Sequence, residues 1–388
     1  MKKYVLYGSS ILFGRGLEYI VLLIAPLYLA KENYGELEFY KKVIELGAAV
    51  VTFGLPTLIL SYPKSLESKK YFTFISFLFI TLLSIFLSPF FIVFQYFYLI
   101  IPIYFHSIFF NNGIIPSFIL TYKNSNIASL YKITVSALFY VIVLITIFVS
   151  EKPQFSFVNV NYILIPIFIS CCVWFFIKEK ILKKKLLKYW SLFKKLLASS
   201  FTIVISNFAN MMFLYTDIMI IKLLSSNANA DIADYSFSLN IANALILVPL
   251  TLVQVDIEKL KSNSIYGVSL NKKISVSVIF LAALLATLFV ILTNIWFENY
   301  KSAIIVFYII LIAKIFQSFS VLYGAQIIIN KLFRENLIIN TISLLFNLCI
   351  SYFLFIKIGL IGVALGSLST LLIRYLMLIY LTKKKVWF

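Results

Sequence analysis

Three basic residues lie inside apolar segments of the chain, where a charge is costly. Lys314 lies near the middle of the apolar segment 302–324, and Arg15 and Arg374 lie in the first and last apolar segments. A Lys or Arg at the centre of a bilayer costs about 2.5–3.5 kcal/mol, and such charges are functional candidates by default. The chemistry that they offer is anion binding, because arginine grips phosphate bidentately and lysine acts as a point charge. Interhelical salt bridges, or side chains that reach the membrane surface, are the alternative.

Amide side chains recur at helical spacing in the second half of the chain. Asn207, Asn210 and Asp217 fall on one face of the segment 198–222, as expected for a helix. Further amides in apolar segments are Asn240, Asn243, Gln317, Asn340 and Asn347. Such stripes can be interhelical hydrogen bonds worth about 0.6 kcal/mol each. Their number, together with the basic residues, favours a shared cavity whose amides could bind sugar hydroxyls.

Three acidic residues in apolar segments are candidates for binding a coupling cation or proton: Asp217, Glu45 and Glu18. Burial favours the protonated form of a carboxylate, so each could change its protonation state during a cycle. Glu18 follows Arg15 by three residues, and this pair could instead neutralise itself on one helix face.

The chain lacks the residue patterns of an enzyme. Its sequence contains no nucleophile–base arrangement, no metal-ligand spacing and no Gly-rich phosphate loop. The single histidine, His106, lies on an aromatic-rich segment, where packing is the simpler interpretation. We therefore expect no catalytic residues, no metal and no cofactor.

Composition indicates a membrane protein. The chain is 62% hydrophobic and 13% charged, with a mean hydropathy of +0.99, whereas soluble domains are about 45–50% apolar and about 25% charged. The net charge of +19 does not indicate nucleic acid, because the lysines fall between apolar segments rather than on one soluble face.

A spanning helix needs about 20 mostly apolar residues. This length, with turn and charge breaks, predicts an all-α polytopic membrane protein with twelve transmembrane helices in two six-helix bundles. The predicted helices are 6–29, 40–61, 71–93, 98–120, 127–149, 162–177, 198–222, 232–255, 271–293, 302–324, 336–356 and 359–381.

A basic segment divides the chain near its midpoint. Residues 178–195 hold eight lysines and one acid, Glu179. Such a cluster belongs in water against anionic cytoplasmic headgroups. We predict an N-terminal bundle, 1–177, and a C-terminal bundle, 196–388, joined by this cytoplasmic linker.

The distribution of Lys and Arg predicts the orientation in the membrane. With the amino terminus inside, the cytoplasmic segments carry 24 basic residues and the outer ends carry 7, including Lys41 and Lys42. The positive-inside rule then makes both termini cytoplasmic. The outer loops are short, so no soluble domain is expected on either face.

An internal match suggests that the two halves are repeats. Tyr34–Phe39 aligns with Ile232–Phe237 at an offset of 198 residues, and the same offset carries the third predicted helix onto the ninth and the sixth onto the twelfth. Each half has six helices, so both would enter the membrane in the same direction.

Several short segments are similar to those of a known family. They are Tyr34-Gly35-Glu36, Phe53-Gly54-Leu55-Pro56, Leu214–Ile218, Ala233–Ser236 and Leu247-Val248-Pro249. On these segments the chain resembles the Wzx-type O-antigen and repeat-unit flippases. Those belong to the multidrug/oligosaccharidyl-lipid/polysaccharide (MOP) exporter superfamily, with MATE exporters and lipid II flippases.

The resemblance implies a MATE-like pair of bundles around a cavity in the bacterial inner membrane. The substrate would be an undecaprenyl-pyrophosphate-linked oligosaccharide, flipped to the periplasmic leaflet by alternating access for lipopolysaccharide O-antigen synthesis and coupled to an ion gradient. Arg15, Lys314 and Arg374 would then hold the pyrophosphate. Partners would be the lipid-linked oligosaccharide, the bilayer, and the polymerase and chain-length proteins of glycan assembly.

Two other functions remain open at this point. A MATE-like exporter of small organic cations needs an acidic cavity, whereas the deep charges here are mainly basic. An integral-membrane glycan polymerase needs catalytic residues outside the membrane, and the short outer loops supply few.

Overall fold

The structure is a computed structural model that describes residues 2–61, 65–110, 113–122, 125–178, 183–199, 201–256, 260, 266–330 and 332–385. Within these ranges some helical side chains lie outside the described part, among them those of Arg15, Asn207 and Asn210. Every regular element of the described residues is helical, so the predicted all-α fold class is confirmed.

The first half contains nine α-helices in its described part: α1 (Lys2–Tyr28), α2 (Lys31–Thr52), α3 (Leu55–Ser61), α4 (Leu66–Val93), α5 (Ile100–Ile108), α6 (Ile114–Tyr122), α7 (Ser125–Val149), α8 (Ser156–Lys178) and α9 (Lys183–Ser199). The second half contains α10 (Phe201–Leu224), α11 (Ala228–Ala242), α12 (Ala244–Val255), α13 (Tyr266–Ile295), α14 (Ile304–Ile329), α15 (Phe333–Ile358) and α16 (Leu360–Lys385).

The prediction of twelve helices is not confirmed, because the structure divides several predicted helices in two. Phe53 and Gly54 adopt positive φ angles of 46° and 69° and separate α2 from α3. Pro56, Pro102 and Pro116 lie in the first turns of α3, α5 and α6, where a missing N–H is tolerated. These prolines therefore begin helices rather than bend longer ones.

Eight helical segments of the described chain are long and apolar enough to cross a membrane. The protein is thus a multi-pass membrane protein. Four other prolines do lie inside helices, where proline commonly produces a bend: Pro26, Pro89, Pro166 and Pro249.

The chain forms two compact units. The first comprises 1–29 and 39–204, and the second comprises 30–38 and 205–388. The predicted division into six-helix bundles at 1–177 and 196–388, with a linker between them, stays a prediction.

The first unit packs α1 against α7 and α7 against α8, while α4 contacts α5, α6 and α9. Its core is aromatic: the rings of Phe105 and Phe139 stack with centroids 6.4 Å apart, and Phe168 meets Phe105 edge-on at 5.4 Å.

The second unit is organised around α14, which packs against α16, α12, α13 and α11, while α15 packs against α16. Phe289 of α13 and Phe307 of α14 stack at a centroid distance of 3.7 Å. Gly359 ends α15 with a φ of +61°, a conformation that glycine adopts without strain, and so allows the tight turn into α16.

The helices of the two halves follow similar spacing. The helices α10, α11 and α13 begin 197 to 200 residues after α1, α2 and α4. This spacing agrees with the internal match at 198 residues.

The helix α9 occupies most of the basic segment that was predicted as a linker. Its contacts with α4 advance together along both helices: Lys185 meets Glu67, Tyr189 stacks on Tyr71, and Phe193 meets Phe72. The helix α9 therefore runs alongside the first turns of α4 in the same direction.

Candidate functional site

A buried carboxylate, Asp217 of α10, is held by hydrogen bonds from three neighbouring helices. Only 4% of Asp217 is exposed. Its carboxylate accepts from Asn347 Nδ2 at 3.0 Å and from Ser351 Oγ at 3.4 Å, both on α15. The hydroxyls of Tyr235 (α11) and Ser367 (α16) also donate to it. Such donors stabilise the negative charge of a carboxylate that burial would otherwise disfavour.

The spacing of polar residues on α15 and α16 builds this arrangement. On α16, Ser367, Thr370 and Arg374 are three and four residues apart and share a face. On α15, the buried polar residues are Asn340, Ser343, Asn347 and Ser351. We call these seven residues the polar seam.

Gly366 allows the two helices of the polar seam to approach closely. A Cβ at Gly366 would lie 2.3 Å from Ser351 Oγ and 2.9 Å from its Cα. The missing side chain therefore lets Ser351 and Ser367 both reach Asp217.

The polar seam continues away from Asp217 through the amide of Asn347. Asn347 Oδ1 accepts from Thr370 Oγ1 at 3.3 Å and from Ser351 Oγ at 3.2 Å. Farther along the same two helices, Arg374 Nη2 donates to Asn340 Oδ1 at 3.3 Å. The seam thus extends from the carboxylate to one of the predicted anion-binding residues.

Lys314 of α14 lies at about the height of Leu371 in α16, next to Thr370 of the polar seam. Its neighbour Ala313 packs with Leu371 of α16 in one buried cluster. Lys314 is 5% exposed, its ammonium donates to Gln317 Oε1 at 2.8 Å, and it interacts electrostatically with Asp217. In the described part of the chain, no lysine or arginine comes within 4 Å of the Asp217 carboxylate.

The oxygen atoms around Asp217 suit a hard cation. Besides the carboxylate, they are Asn347 Oδ1 and the hydroxyls of Ser351, Ser367 and Thr370, and carbonyl, carboxylate and hydroxyl oxygens are ligands of hard metal ions. No cluster of His, Cys, Asp or Glu that could hold a metal occurs among the described residues. The arrangement thus offers a cation one carboxylate and several neutral oxygen atoms.

Unpaired polar groups lie close to Lys314 and within the polar seam. The buried hydroxyls of Ser318, four residues after Lys314, and Ser343 have no hydrogen-bond partner in the structure as described. Buried polar groups normally have one, so this region can accept a further polar ligand.

The predicted acids of the first unit are both in ion pairs. Glu18 pairs with Lys41 at 2.9 Å, and Glu45 pairs with Lys42 at 3.4 Å. The prediction that Lys41 and Lys42 lie at an outer helix end is wrong, because both residues lie within α2 and are buried. The helix begins at Lys31 rather than residue 40, because ion pairing allows charged turns to be buried.

A small cavity adjoins these ion pairs. It is lined by Lys41, Glu45, His106 and aromatic side chains and has room for about one water molecule. Nε2 of His106 is buried there without a hydrogen-bond partner among the described residues.

Not every predicted residue joins the polar seam. Asn240 donates to Tyr34 Oη at 3.3 Å and so links α11 to the start of α2. Asn243 lies half-buried where α11 meets α12. The side chains of Arg15, Asn207 and Asn210 lie outside the described residues, so their predicted roles stay predictions.

Three of the four described residues that donate to Asp217 were not predicted as site residues: Tyr235, Ser351 and Ser367. Ser351 follows Asn347 by four residues and so shares its helix face, a spacing that could have revealed it. Tyr235 carried no signal of its own, since a tyrosine in an apolar helix is usually a packing residue.

The fold is that of a multi-pass helical membrane protein that buries charged residues within its second unit. No protein-family profile matches the chain, and no curated protein sequence does. Similar folds do occur among solved structures of transporters and flippases.

An inward-facing multidrug resistance MATE transporter of the MOP superfamily superposes with a TM-score of 0.69 at 13% identity, covering 98% of this chain and 94% of that one. The lipid II flippase MurJ in an inward closed conformation gives 0.66 at 15% identity, covering 98% and 87%. An outward-facing MATE transporter gives 0.60 at 12% identity, covering 100% and 96%. The chain thus has a fold shared by MATE transporters and a lipid flippase.

Proposed function

We propose that the protein is a flippase that moves undecaprenyl-pyrophosphate-linked oligosaccharide repeat units from the cytoplasmic to the periplasmic leaflet. It would work by alternating access in the bacterial inner membrane, with both termini cytoplasmic. Its glycan would be of the O-antigen type, passed on to the polymerase and chain-length proteins of glycan assembly.

The observation that carries the proposal is the buried cation Lys314 beside unsatisfied hydroxyls. A buried lysine costs about 2.5–3.5 kcal/mol in a membrane, and a passing anion offsets that cost. Ser318 and Ser343 supply polar groups without partners in the described structure. A pyrophosphate with attached sugars offers a negative charge that attracts Lys314 and hydroxyls that can bond with Ser318 and Ser343.

Arg374 supports the same assignment from the other end of the polar seam. Its guanidinium carries five donors in a planar fork that matches phosphate geometry, and it donates to Asn340 Oδ1 of the polar seam. With the acid ionised, Lys314, Arg374 and Asp217 sum to one positive charge, and a cation or proton on Asp217 raises this to two. Arg15 is the third proposed pyrophosphate ligand, and its side chain lies outside the described residues.

Asp217 is the proposed coupling residue, with Glu45 and Glu18 as further candidates. Glu45 and Glu18 are each neutralised by a lysine. Asp217 is instead surrounded by neutral hydrogen-bond donors, so its charge can be balanced by a mobile cation. We therefore rank Asp217 first.

A MATE-like exporter of small organic cations is the second candidate, favoured by the TM-score of 0.69 with a MATE transporter. A cationic substrate that bound Asp217 would lie close to two cations, Lys314 and Arg374. Like-charge repulsion makes this the weaker proposal.

The test is complementation of a deletion strain, scored by surface glycan at matched protein levels. We expect K314A to abolish surface glycan, while the control K301A, at an exposed lysine, retains it. Normal glycan in K314A removes Lys314 from the site. Normal glycan together with raised drug susceptibility in the deletion strain indicates the exporter, and shortened glycan chains indicate a polymerase.

A further inference from the structure

The basic helix α9 presents one face to the protein and another to its surroundings. The docked face carries Tyr189, whose ring stacks on Tyr71 at 4.8 Å, and Phe193, which is 1% exposed. Phe193 lies 5.3 Å from Phe72 and 5.6 Å from Phe79, between ring centroids. These contacts fix both the rotation and the height of α9 on α4.

One lysine of α9 belongs to this docking. Lys185 Nζ lies 2.5 Å from Glu67 Oε1, and this hydrogen bond raises the pKa of Lys185 above its ordinary value. Lys185 is thus paired within the first unit.

The outward face of α9 combines lysines with exposed apolar groups. Leu187 is 76% exposed and Trp190 is 37% exposed, and Lys188, Lys194 and Lys195 are exposed beside them. The helix contains no acidic residue. Exposed leucine and tryptophan next to lysine are typical of helices that lie in a membrane interface.

The register on α4 places this face at the membrane boundary. The polar start of α4, Leu66–Lys70, ends where its apolar part begins at Tyr71. Tyr189 is level with Tyr71, so the boundary between headgroups and hydrocarbon crosses α9 near Tyr189 and Trp190. Lys194 and Lys195 follow by about one turn, and long lysine side chains can extend to such a boundary. Trp174 and Lys178 at the end of α8 form a similar pair, with the ammonium 5.0 Å from the ring centroid.

We propose that the outward face of α9 is a binding surface for anionic phospholipids. Lys188, Lys194 and Lys195 contact the headgroup phosphates, while Leu187 and Trp190 enter the interface between them. The charge is complementary to an anionic leaflet, and a lysine that reaches such a surface favours binding by about fivefold. This inference does not depend on which substrate the protein transports.

The test follows the fluorescence of Trp190 in the full-length protein. Trp174, Trp296 and Trp387 are replaced by Phe, and the protein is reconstituted in phosphatidylcholine vesicles. Either brominated phosphatidylcholine or brominated phosphatidylglycerol is then added as a quencher. We expect the anionic lipid to quench Trp190 at a mole fraction at least about fivefold lower.

Two comparisons make the result specific. The variant K188Q/K194Q/K195Q should lose the preference, whereas K272Q/K273Q/K301Q, which removes the same charge from exposed lysines elsewhere, should keep it. In the protein that has Trp190 as its single tryptophan and keeps all of its lysines, raising the salt from 0.1 to 1 M should weaken the preference for the anionic lipid. The Debye length falls from about 10 to about 3 Å over this range.

Three outcomes overturn the proposal. Equal quenching by the two lipids means a hydrophobic contact without headgroup recognition. Quenching by neither lipid, with strong quenching by aqueous iodide, means that α9 faces water or a soluble partner. A preference that survives the triple lysine substitution assigns the anionic lipid to other residues.

Discussion

The amide of Asn347 donates to the carboxylate of Asp217 at 3.0 Å and accepts from Thr370 at 3.3 Å with its oxygen. Asp217 is therefore connected to α16 twice, directly by the hydroxyl of Ser367 and through the amide of Asn347 to Thr370. A cation on the carboxylate competes with the amide donor, and a reoriented amide loses its bond with Thr370. We therefore expect a cation bound at Asp217 to change the hydrogen bonds of the polar seam.

Removing the charge of Asp217 tests the cation site. A cation that binds only the folded protein stabilises it by about 2.7 kcal/mol at 100 times its dissociation constant. We expect the wild type to melt at a higher temperature in NaCl than in choline chloride, or with a marked pH dependence if the ligand is a proton. D217N should lose this dependence.

The matched control for D217N is E298Q, at an acid whose side chain is 70% exposed. It should retain the full cation response. A response that is equal in D217N and the wild type would place the cation elsewhere.

Adding one methyl group at Gly366 tests the close approach of α15 and α16. We expect G366A to destabilise the protein by about 1–3 kcal/mol, the usual effect of overpacking. The clash is with the backbone of Ser351 as well as with its hydroxyl, so rotation of the side chain alone does not relieve it. Thermal unfolding measures the effect.

Gly324 provides the comparison, because a Cβ there would meet nothing within 4 Å. G324A should be neutral or stabilising by up to about 1 kcal/mol, as expected for Gly to Ala inside a helix. Equal behaviour of the two variants would contradict the packing of the polar seam.

The ion pair between Lys31 and Asp234 tests how the start of α2 is held in the second unit. The pair spans 2.7 Å, and Asp234 also accepts from Ser302 at 2.9 Å. Removing Lys31 leaves a largely buried carboxylate, and such losses cost about 3–5 kcal/mol. We expect K31A to be strongly destabilising and K31A/D234A to be less so than the sum of the single changes.

The exposed pair Lys301–Glu298, at 3.6 Å, should show a coupling below about 1 kcal/mol in the same cycle. Additive effects of K31A and D234A in thermal unfolding would show that the Lys31 pair contributes no more than this surface pair.

Sequence reasoning found the class of the protein and many residues of the site, but not their partners. Composition and apolar segment length identified the polytopic helical class. The residues Lys314, Asp217, Asn347 and Arg374 were recognised because polar groups are rare in apolar segments. That Asn347 bonds Asp217 depends on contacts between helices 130 residues apart, which one sequence does not encode locally.

The errors have a common physical cause. Lys41 and Lys42 look like a water-exposed helix end, yet Glu18 and Glu45 neutralise them inside the first unit. The helix count failed where prolines and positive φ angles divide apolar runs that hydropathy treats as continuous.

Binding of undecaprenyl pyrophosphate to the purified full-length protein tests the central claim most directly, because it isolates the buried cations from later steps of glycan assembly. We predict that K314Q and R374Q each weaken binding by about tenfold or more, as expected from a charged hydrogen bond worth about 1.5–3 kcal/mol, while K301Q leaves it unchanged. Equal affinity of all three variants and the wild type would contradict the proposal that an anionic headgroup passes these side chains.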